Sequence, residues 1–274
     1  MTAGRQESPG FIIGCPRSGT SILGEAIAKH PGVAYLFEDA SISRVIQEGR
    51  PDHRLARADA SPELLEAFRR AMLEVARDIE GDVLVEKNPR HVIRIPFLAA
   101  AFPAARFIHI IRDGRDVAAS LMFRNRGPRW GHVEIPGWRE VLQAHPEANH
   151  IRCAIQWRDT VRIAREDASE LPVGSYTELR YEDLLREPAR VVSETLAFLG
   201  LELHPEVQAF LPKIQDSTAG SYHARKQVRH YVDDHSRRMG RHVENLTAAQ
   251  IAEVEAVCGP LLRELGYGAG VTGS

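Results

Sequence analysis

The octapeptide GCPRSGTS at residues 14–21 constrains this chain more than any other feature. It follows an apolar run, Phe11 to Gly14, that reads as a short buried strand, and it precedes a stretch from Thr20 to Lys29 that reads as a helix. Strand, tight glycine turn and helix in that order bring a helix N-terminus to the carboxyl edge of a sheet. There, free backbone N–H groups and the helix dipole favour an anion. Gly14 and Gly19 stand at the two glycine positions of a phosphate-binding loop, and Ser18, Thr20 and Ser21 add hydroxyl donors. Thr20 occupies the place where a nucleotide triphosphatase carries its lysine, so the cation on offer is Arg17, inside the loop. Alone, the segment is equally compatible with a bare strand-to-helix turn.

The rest of the chain alternates in the same way. Leu64, Leu65, Phe68, Met72, Val75 and Ile79 recur at helical spacing behind Ser61 as N-cap and Pro62 as first helical residue. Val83–Val85 and Phe107–Ile111 suit central parallel strands, with a crossover helix expected over 91–102. Helices are expected over 151–168 and 189–199, with a strand over 175–180 between them. Residues 124–150 read as a long surface excursion and 212–246 as a polar, basic segment. A last helix opens on Thr247 and Gln250 in capping-box spacing, with Pro260 placed to kink it. The pattern predicts an α/β protein: a P-loop-like three-layer fold with a central parallel sheet flanked by helices. A tail over 1–9 and a single domain over 10–268 are expected.

A second anion site is legible in ARFIHIIRDGRDVAAS, residues 105–120. A strand ends at Arg112, a turn runs through Asp113 and Gly114, and a helix carries Ser120 in its second turn. The guanidinium lies on the edge where open α/β sheets bind ligands, and its fork of donors matches a phosphate. Two anion sites on one edge suit a nucleotide phosphorylated at both its 5′ and 3′ ends.

Composition narrows the classes. A net charge of −2 over 274 residues gives no global field for nucleic acid, and the Arg-rich stretches at 124–129 and 225–241 carry no reading motif, so no nucleic-acid partner is expected. Three cysteines, Cys15, Cys153 and Cys258, form neither a disulfide framework nor a metal motif, which fits a reducing compartment. The longest apolar stretch, 95–105, is far short of the roughly 20 residues that span a bilayer. A cytoplasmic protein without a transmembrane segment is expected.

Taken together, PRSGT at 16–20 and RDGR at 112–115 with Ser120 resemble the sulfotransferases that use 3′-phosphoadenosine 5′-phosphosulfate (PAPS), in particular the protein-tyrosine sulfotransferase branch and its bacterial relatives. Glu38 in YLFED, Lys87 in VEKNP, Trp157 in CAIQW, LRYEDLLREP and KIQDST extend the similarity across about residues 11–218. The resemblance implies a PAPS co-substrate, no metal, and a hydroxyl-bearing acceptor such as a sugar, lipid, phenol or peptide. It implies that Arg17, Ser18, Gly19, Thr20 and Ser21 hold the 5′-phosphosulfate, and Arg112 and Ser120 the 3′-phosphate. Glu38 would be the general base, with Asp39 as its substitute, and Lys87 with Arg17 would stabilise the leaving oxygen. Tyr181 offers the adenine a stacking surface, and Ser217 a hydroxyl near the nucleotide. Trp157, on an apolar helix face, reads as core, and His91 and His109 as hydrogen-bonded within regular elements. The paired cysteines of secreted relatives are absent. The competing readings are a P-loop kinase using ATP and magnesium, which needs a lysine at Thr20 and a metal-binding aspartate such as Asp113, and a nucleotide-binding protein without catalysis, which has no use for Glu38 and Lys87.

Overall fold

The computed structural model describes residues 8–47, 49–122, 133–215 and 239–268. Five strands, β1 (Gly10–Ile13), β2 (Val33–Phe37), β3 (Val83–Lys87), β4 (Arg106–Ile111) and β5 (Tyr176–Arg180), form one sheet in the order β2-β3-β1-β4-β5, with every neighbouring pair parallel. Parallel neighbours cannot be joined by a tight hairpin, so each connection carries helix. Helix α1 (Thr20–Ile27) follows β1; α2 (Ala40–Gln47) and α3 (Pro62–Ala76) follow β2; a 3₁₀ turn (Pro89–Ile93) and α4 (Ile95–Ala101) follow β3. Helices α5 (Gly114–Met122), α6 (Trp138–Ala144) and α7 (Asn149–Ala168) lie between β4 and β5. After β5 come α8 (Tyr181–Arg186), α9 (Pro188–Phe198), α10 (Pro205–Gln215), α11 (His242–Asn245) and α12 (Ala248–Glu264).

Side chains alternate across the sheet, as strand geometry requires. Phe11 and Ile13 enter a core with Phe68, Phe97 and Phe107, while Ile12 between them enters the opposite core with Leu23, Ile27, Ile108 and Leu196. The result is the three-layer α/β arrangement expected from the sequence. Strand β1 sits between β3 and β4, so the chain order reverses around it, and such a reversal opens a crevice at the carboxyl ends of the strands.

Several boundaries differ from the expectation. The crossover over 91–102 is not one helix: the 3₁₀ turn gives way at Arg94 (φ −130°, ψ 13°) and α4 begins afresh. Pro96 is the reason, since a proline is tolerated in a helix's first turn and not in its interior. Residues 133–138 are not a surface excursion. Val133, Ile135 and Trp138 are buried, and Gln156 Nε2 donates to the Val133 carbonyl at 2.8 Å. His53 and Glu134 exchange two further bonds: the Glu134 N–H donates to His53 Nδ1 at 2.7 Å and the His53 N–H to the Glu134 carbonyl at 2.9 Å. The short helix α6 follows behind Gly137, whose φ of +75° places it in the left-handed region that favours glycine. Expected caps are present: Ser61 Oγ accepts from Leu64 N–H at 3.2 Å, and Thr247 and Gln250 form their reciprocal box at the start of α12, which runs on through Pro260.

Candidate active site

The loop at 14–19 is built by close approach. A Cβ at Gly14 would stand 2.5 Å from the Ile110 carbonyl, so only glycine lets the end of β1 lie this near β4. Gly19, at φ +100°, lies against the Tyr181 ring, which a Cβ would meet at 2.4 Å. Among the described residues just two that are not glycine have positive φ, and they are Arg17 (79°) and Glu38 (45°). Such backbone costs on the order of 1–3 kcal/mol per residue, and strain of this kind gathers at functional sites.

Behind the loop, cations converge on one hydroxyl. Ser120 Oγ accepts from Arg17 Nε at 3.0 Å and from Arg241 Nη1 at 3.2 Å. Arg112 donates through Nη1 to the Arg17 carbonyl at 3.1 Å, and its guanidinium lies 4.6 Å from the centre of the Tyr181 ring. Arg112, Arg241 and Ser120 are all buried. Burial and the neighbouring Arg112 charge pull Arg241 down to about 10. Asp116 offers a carboxylate, shared between Arg112 at 3.4 Å, Gly240 N–H at 2.9 Å and His242, whose N–H donates at 3.0 Å. Buried Ser18 Oγ and Arg241 Nε have no hydrogen-bond partner among the described residues. A phosphate fits this inventory: it would quench the repulsion between guanidiniums and bond the orphaned donors, each otherwise costly to bury.

The surroundings fix Arg112 firmly. Trp157 Nε1 donates to its carbonyl at 3.0 Å, and the indole packs so tightly on Gly114 that a Cβ there would meet it at 2.5 Å. Trp157 is thus core, as expected. Asp113 and Arg115 turn away from Ser120 and pair with each other at 2.7 Å, Arg115 reaching Glu255 on α12 at 2.9 Å. Asp113 N–H donates to buried Glu182, which also accepts from the Tyr267 hydroxyl at 2.9 Å.

On the other side of Arg17, Lys87 ends β3 and Glu38 follows β2. Glu38 N–H donates to the Lys87 carbonyl at 3.0 Å, continuing the sheet, and Lys87 Nζ donates to Glu38 Oε1. The Lys87 side chain is 1% exposed and lies 4.3 Å from the Phe37 ring centre, whereas that of Glu38 is 41% exposed. Burial, aided by the Arg17 charge and opposed by Glu38, holds Lys87 below the ordinary lysine range. Asp39 is occupied as the cap of α2, accepting from Ser41 N–H at 2.8 Å and Ile42 N–H at 3.4 Å. Glu38 opens onto a pocket of about 630 Å³ whose lining includes Pro16, Ser43, Arg44, Gln47, Asn88 and Arg90. No carboxylate pairs with Arg44 or Arg90 among the described residues.

The structure therefore brings Arg17, Ser18, Gly19, Thr20, Ser21, Glu38, Lys87, Arg112, Ser120 and Tyr181 to the carboxyl edge of the sheet. Ser217 lies outside the described residues. His91 and His109 are hydrogen-bonded inside, to Glu86 at 2.9 Å and to the Tyr176 hydroxyl at 2.7 Å. Arg241 was missed, because in the polar, basic segment over 212–246 nothing distinguishes it from Arg225, Arg229, Arg237 and Arg238. No group of three or more His, Cys, Asp or Glu side chains arranged to hold a metal occurs among the described residues. No helix there is long and apolar enough to cross a membrane.

Fold and site define an α/β protein that presents a glycine loop and a buried cation cluster on one sheet edge. The profile of the Sulfotransferase family matches residues 9–205, and the chain belongs to that family. It is similar to chicken (Gallus gallus) protein-tyrosine sulfotransferase 2, with 26% identity over 202 residues covering 70% of this chain and 50% of that protein. It is also similar to an omega-hydroxy-beta-dihydromenaquinone-9 sulfotransferase of Mycobacterium tuberculosis (26% over 182 residues, covering 64% and 45%). The chain spans about half the length of these curated relatives. Among solved structures, a sulfotransferase domain from the curacin biosynthetic pathway shares the fold at a TM-score of 0.56, with 19% identity and coverage of 93% and 97%. So does a mouse sulfotransferase complexed with PAP, at 0.56, with 16% identity and coverage of 96% and 89%.

Proposed function

We propose that the chain moves a sulfuryl group from PAPS to a hydroxyl acceptor in the pocket beside Glu38, leaving 3′-phosphoadenosine 5′-phosphate (PAP). The observation that carries this reading is the place of Arg17: it contacts Ser120 in the cation cluster, and its charge bears on Lys87, the residue that donates to Glu38. PAPS supplies the sulfuryl group on a phosphate leaving group. The loop amides with Ser18, Thr20 and Ser21 receive the 5′-phosphosulfate, where the helix N-terminus favours charge. Arg112, Ser120 and Arg241 receive the 3′-phosphate. Tyr181, between Gly19 and Arg112, walls the nucleotide side, and Ser217 is assigned to the nucleotide by the resemblance alone.

Glu38 is exposed enough to meet an acceptor hydroxyl and take its proton, which as general-base catalysis contributes roughly 10²- to 10⁴-fold in rate. Lys87, an ammonium that burial makes more acidic, donates to the bridging oxygen as charge develops there, and Arg17 shares that charge. Phosphoryl transfer from ATP is disfavoured, since Thr20 stands where the lysine belongs and Asp113 is taken up by Arg115. Loop and cluster share one sheet, which supports a single catalytic domain over 10–268, and three buried thiols support a reducing, cytoplasmic setting. The test is incubation with PAPS and a panel of phenols, sugars, long-chain alcohols and tyrosyl peptides, reading sulfated product by mass and PAP release together. Acceptor-dependent PAP release that disappears in Glu38→Gln supports the reading. PAP release indifferent to every acceptor and to Glu38 overturns it.

A further inference from the structure

The turn Gly240–His242 reaches the cation cluster from far along the chain, and one carboxylate holds it there. Asp116 Oδ2 accepts from Gly240 N–H at 2.9 Å, and Oδ1 accepts from His242 N–H at 3.0 Å and lies 2.6 Å from His242 Nδ1. Between the two anchored residues, Arg241 places Nη1 on Ser120 Oγ at 3.2 Å. Asp116 and Ser120 are four residues apart on α5 and so share a face. One helix face thereby grips both the backbone of the turn and the side chain it delivers.

We infer that Asp116 and His242 are positioning residues that latch the 240–242 turn against α5, so that Arg241 is presented to the 3′-phosphate of the nucleotide. The inference rests on the assignment of the Arg112, Ser120 and Arg241 cluster to that phosphate. Left to itself, Arg241 gains little by staying: it is buried beside a second guanidinium, its hydrogen-bond partner on α5 is the neutral hydroxyl of Ser120, and the charge of Asp116 only partly offsets the burial. The bonds from Asp116 to the flanking residues offset that cost. Without them the arginine regains water by leaving, and the site loses one of its cations while the loop at 14–19 and the Trp157 support stay in place. By linkage, a ligand that bonds Arg241 also stabilises the latched turn.

The test is calorimetric affinity of the full chain for PAP and for adenosine 5′-phosphate, which lacks the 3′-phosphate, in wild type, His242→Ala, His242→Asn, Arg241→Ala and the double variant His242→Ala with Arg241→Ala. His242→Ala is expected to weaken PAP by roughly ten- to a hundredfold, the worth of one charge-assisted bond, and to leave adenosine 5′-phosphate within about twofold. His242→Asn, whose amide can donate from near the Nδ1 position, restores most of that loss. In the Arg241→Ala background the loss vanishes, because the latch has nothing left to deliver. Equal weakening of both nucleotides, or an undiminished loss in the Arg241→Ala background, overturns the latch. A wild type that binds both nucleotides equally overturns the 3′-phosphate assignment itself. A second readout needs no variant: hydrogen exchange at the Gly240 and His242 amides slows more with PAP than with adenosine 5′-phosphate if the latch holds, and equal slowing contradicts it.

Discussion

The two halves of the site differ in how much of their geometry is settled before any ligand arrives. Around Ser120 nearly every group is held: Arg112 by Trp157 and Asp116, Arg241 by its flanking residues, Gly19 by the Tyr181 ring. Around Glu38 one strong contact, to Lys87, faces an open pocket edged by Arg44 and Arg90. Preorganised, desolvated donors give affinity for a fixed ligand at little reorganisation cost, whereas an open pocket allows selectivity to change without disturbing the chemistry. On the proposed function, nucleotide affinity resides on one side of Arg17 and rate with acceptor choice on the other.

Substitutions can break that division. Glu38→Gln is expected to lower kcat by roughly 10²- to 10⁴-fold with PAP affinity unchanged, measured by steady-state kinetics beside calorimetry; a matching loss of PAP binding would erase the distinction. Lys87→Met should cost about 10²- to 10³-fold in kcat, the worth of one transition-state donor. The pH profile sharpens this. Because burial lowers the pKa of Lys87 in the free protein, the donor loses its proton earlier as pH rises, so the alkaline limb of kcat/KM for PAPS, which reports the free enzyme, falls below the roughly 10.4 of an ordinary lysine. A limb at or above that value contradicts the assignment. On the other side, Arg112→Ala is expected to weaken PAP by roughly ten- to a hundredfold while kcat at saturating nucleotide stays close to wild type. The smallest effect belongs to the pocket rim. Arg44→Ala and Arg90→Ala should raise KM a few-fold, about 1 kcal/mol or less each, for acceptors bearing an anionic group, and leave neutral acceptors and PAP unaffected.

The same contrast governs what the sequence made legible. The rigid half was readable because its signals are local: glycines at 14 and 19, an arginine at a strand end, a serine in the following helix. The central parallel sheet followed from alternation, yet its strand order, β2 and α2 went unread. Both elements left signals in the sequence, Pro31-Gly32 as a turn before VAYLF and Ile42, Val45 and Ile46 at helical spacing in α2, but each is only five to eight residues long, too short for periodicity to single out. Burial of Val133 and Ile135 depends on His53 and Gln156, distant residues that no periodicity connects to them. Arg241 shows the limit most plainly. Its role comes from Asp116, 125 residues earlier in the chain, gripping the backbone on either side of it.

The most direct test of the central assignment is calorimetric binding of PAP beside ADP and ATP with magnesium, in wild type and Arg112→Ala. A sulfotransferase site binds PAP most tightly without added metal and loses that preference in the variant. Tighter, magnesium-dependent binding of ATP, indifferent to Arg112, would contradict it.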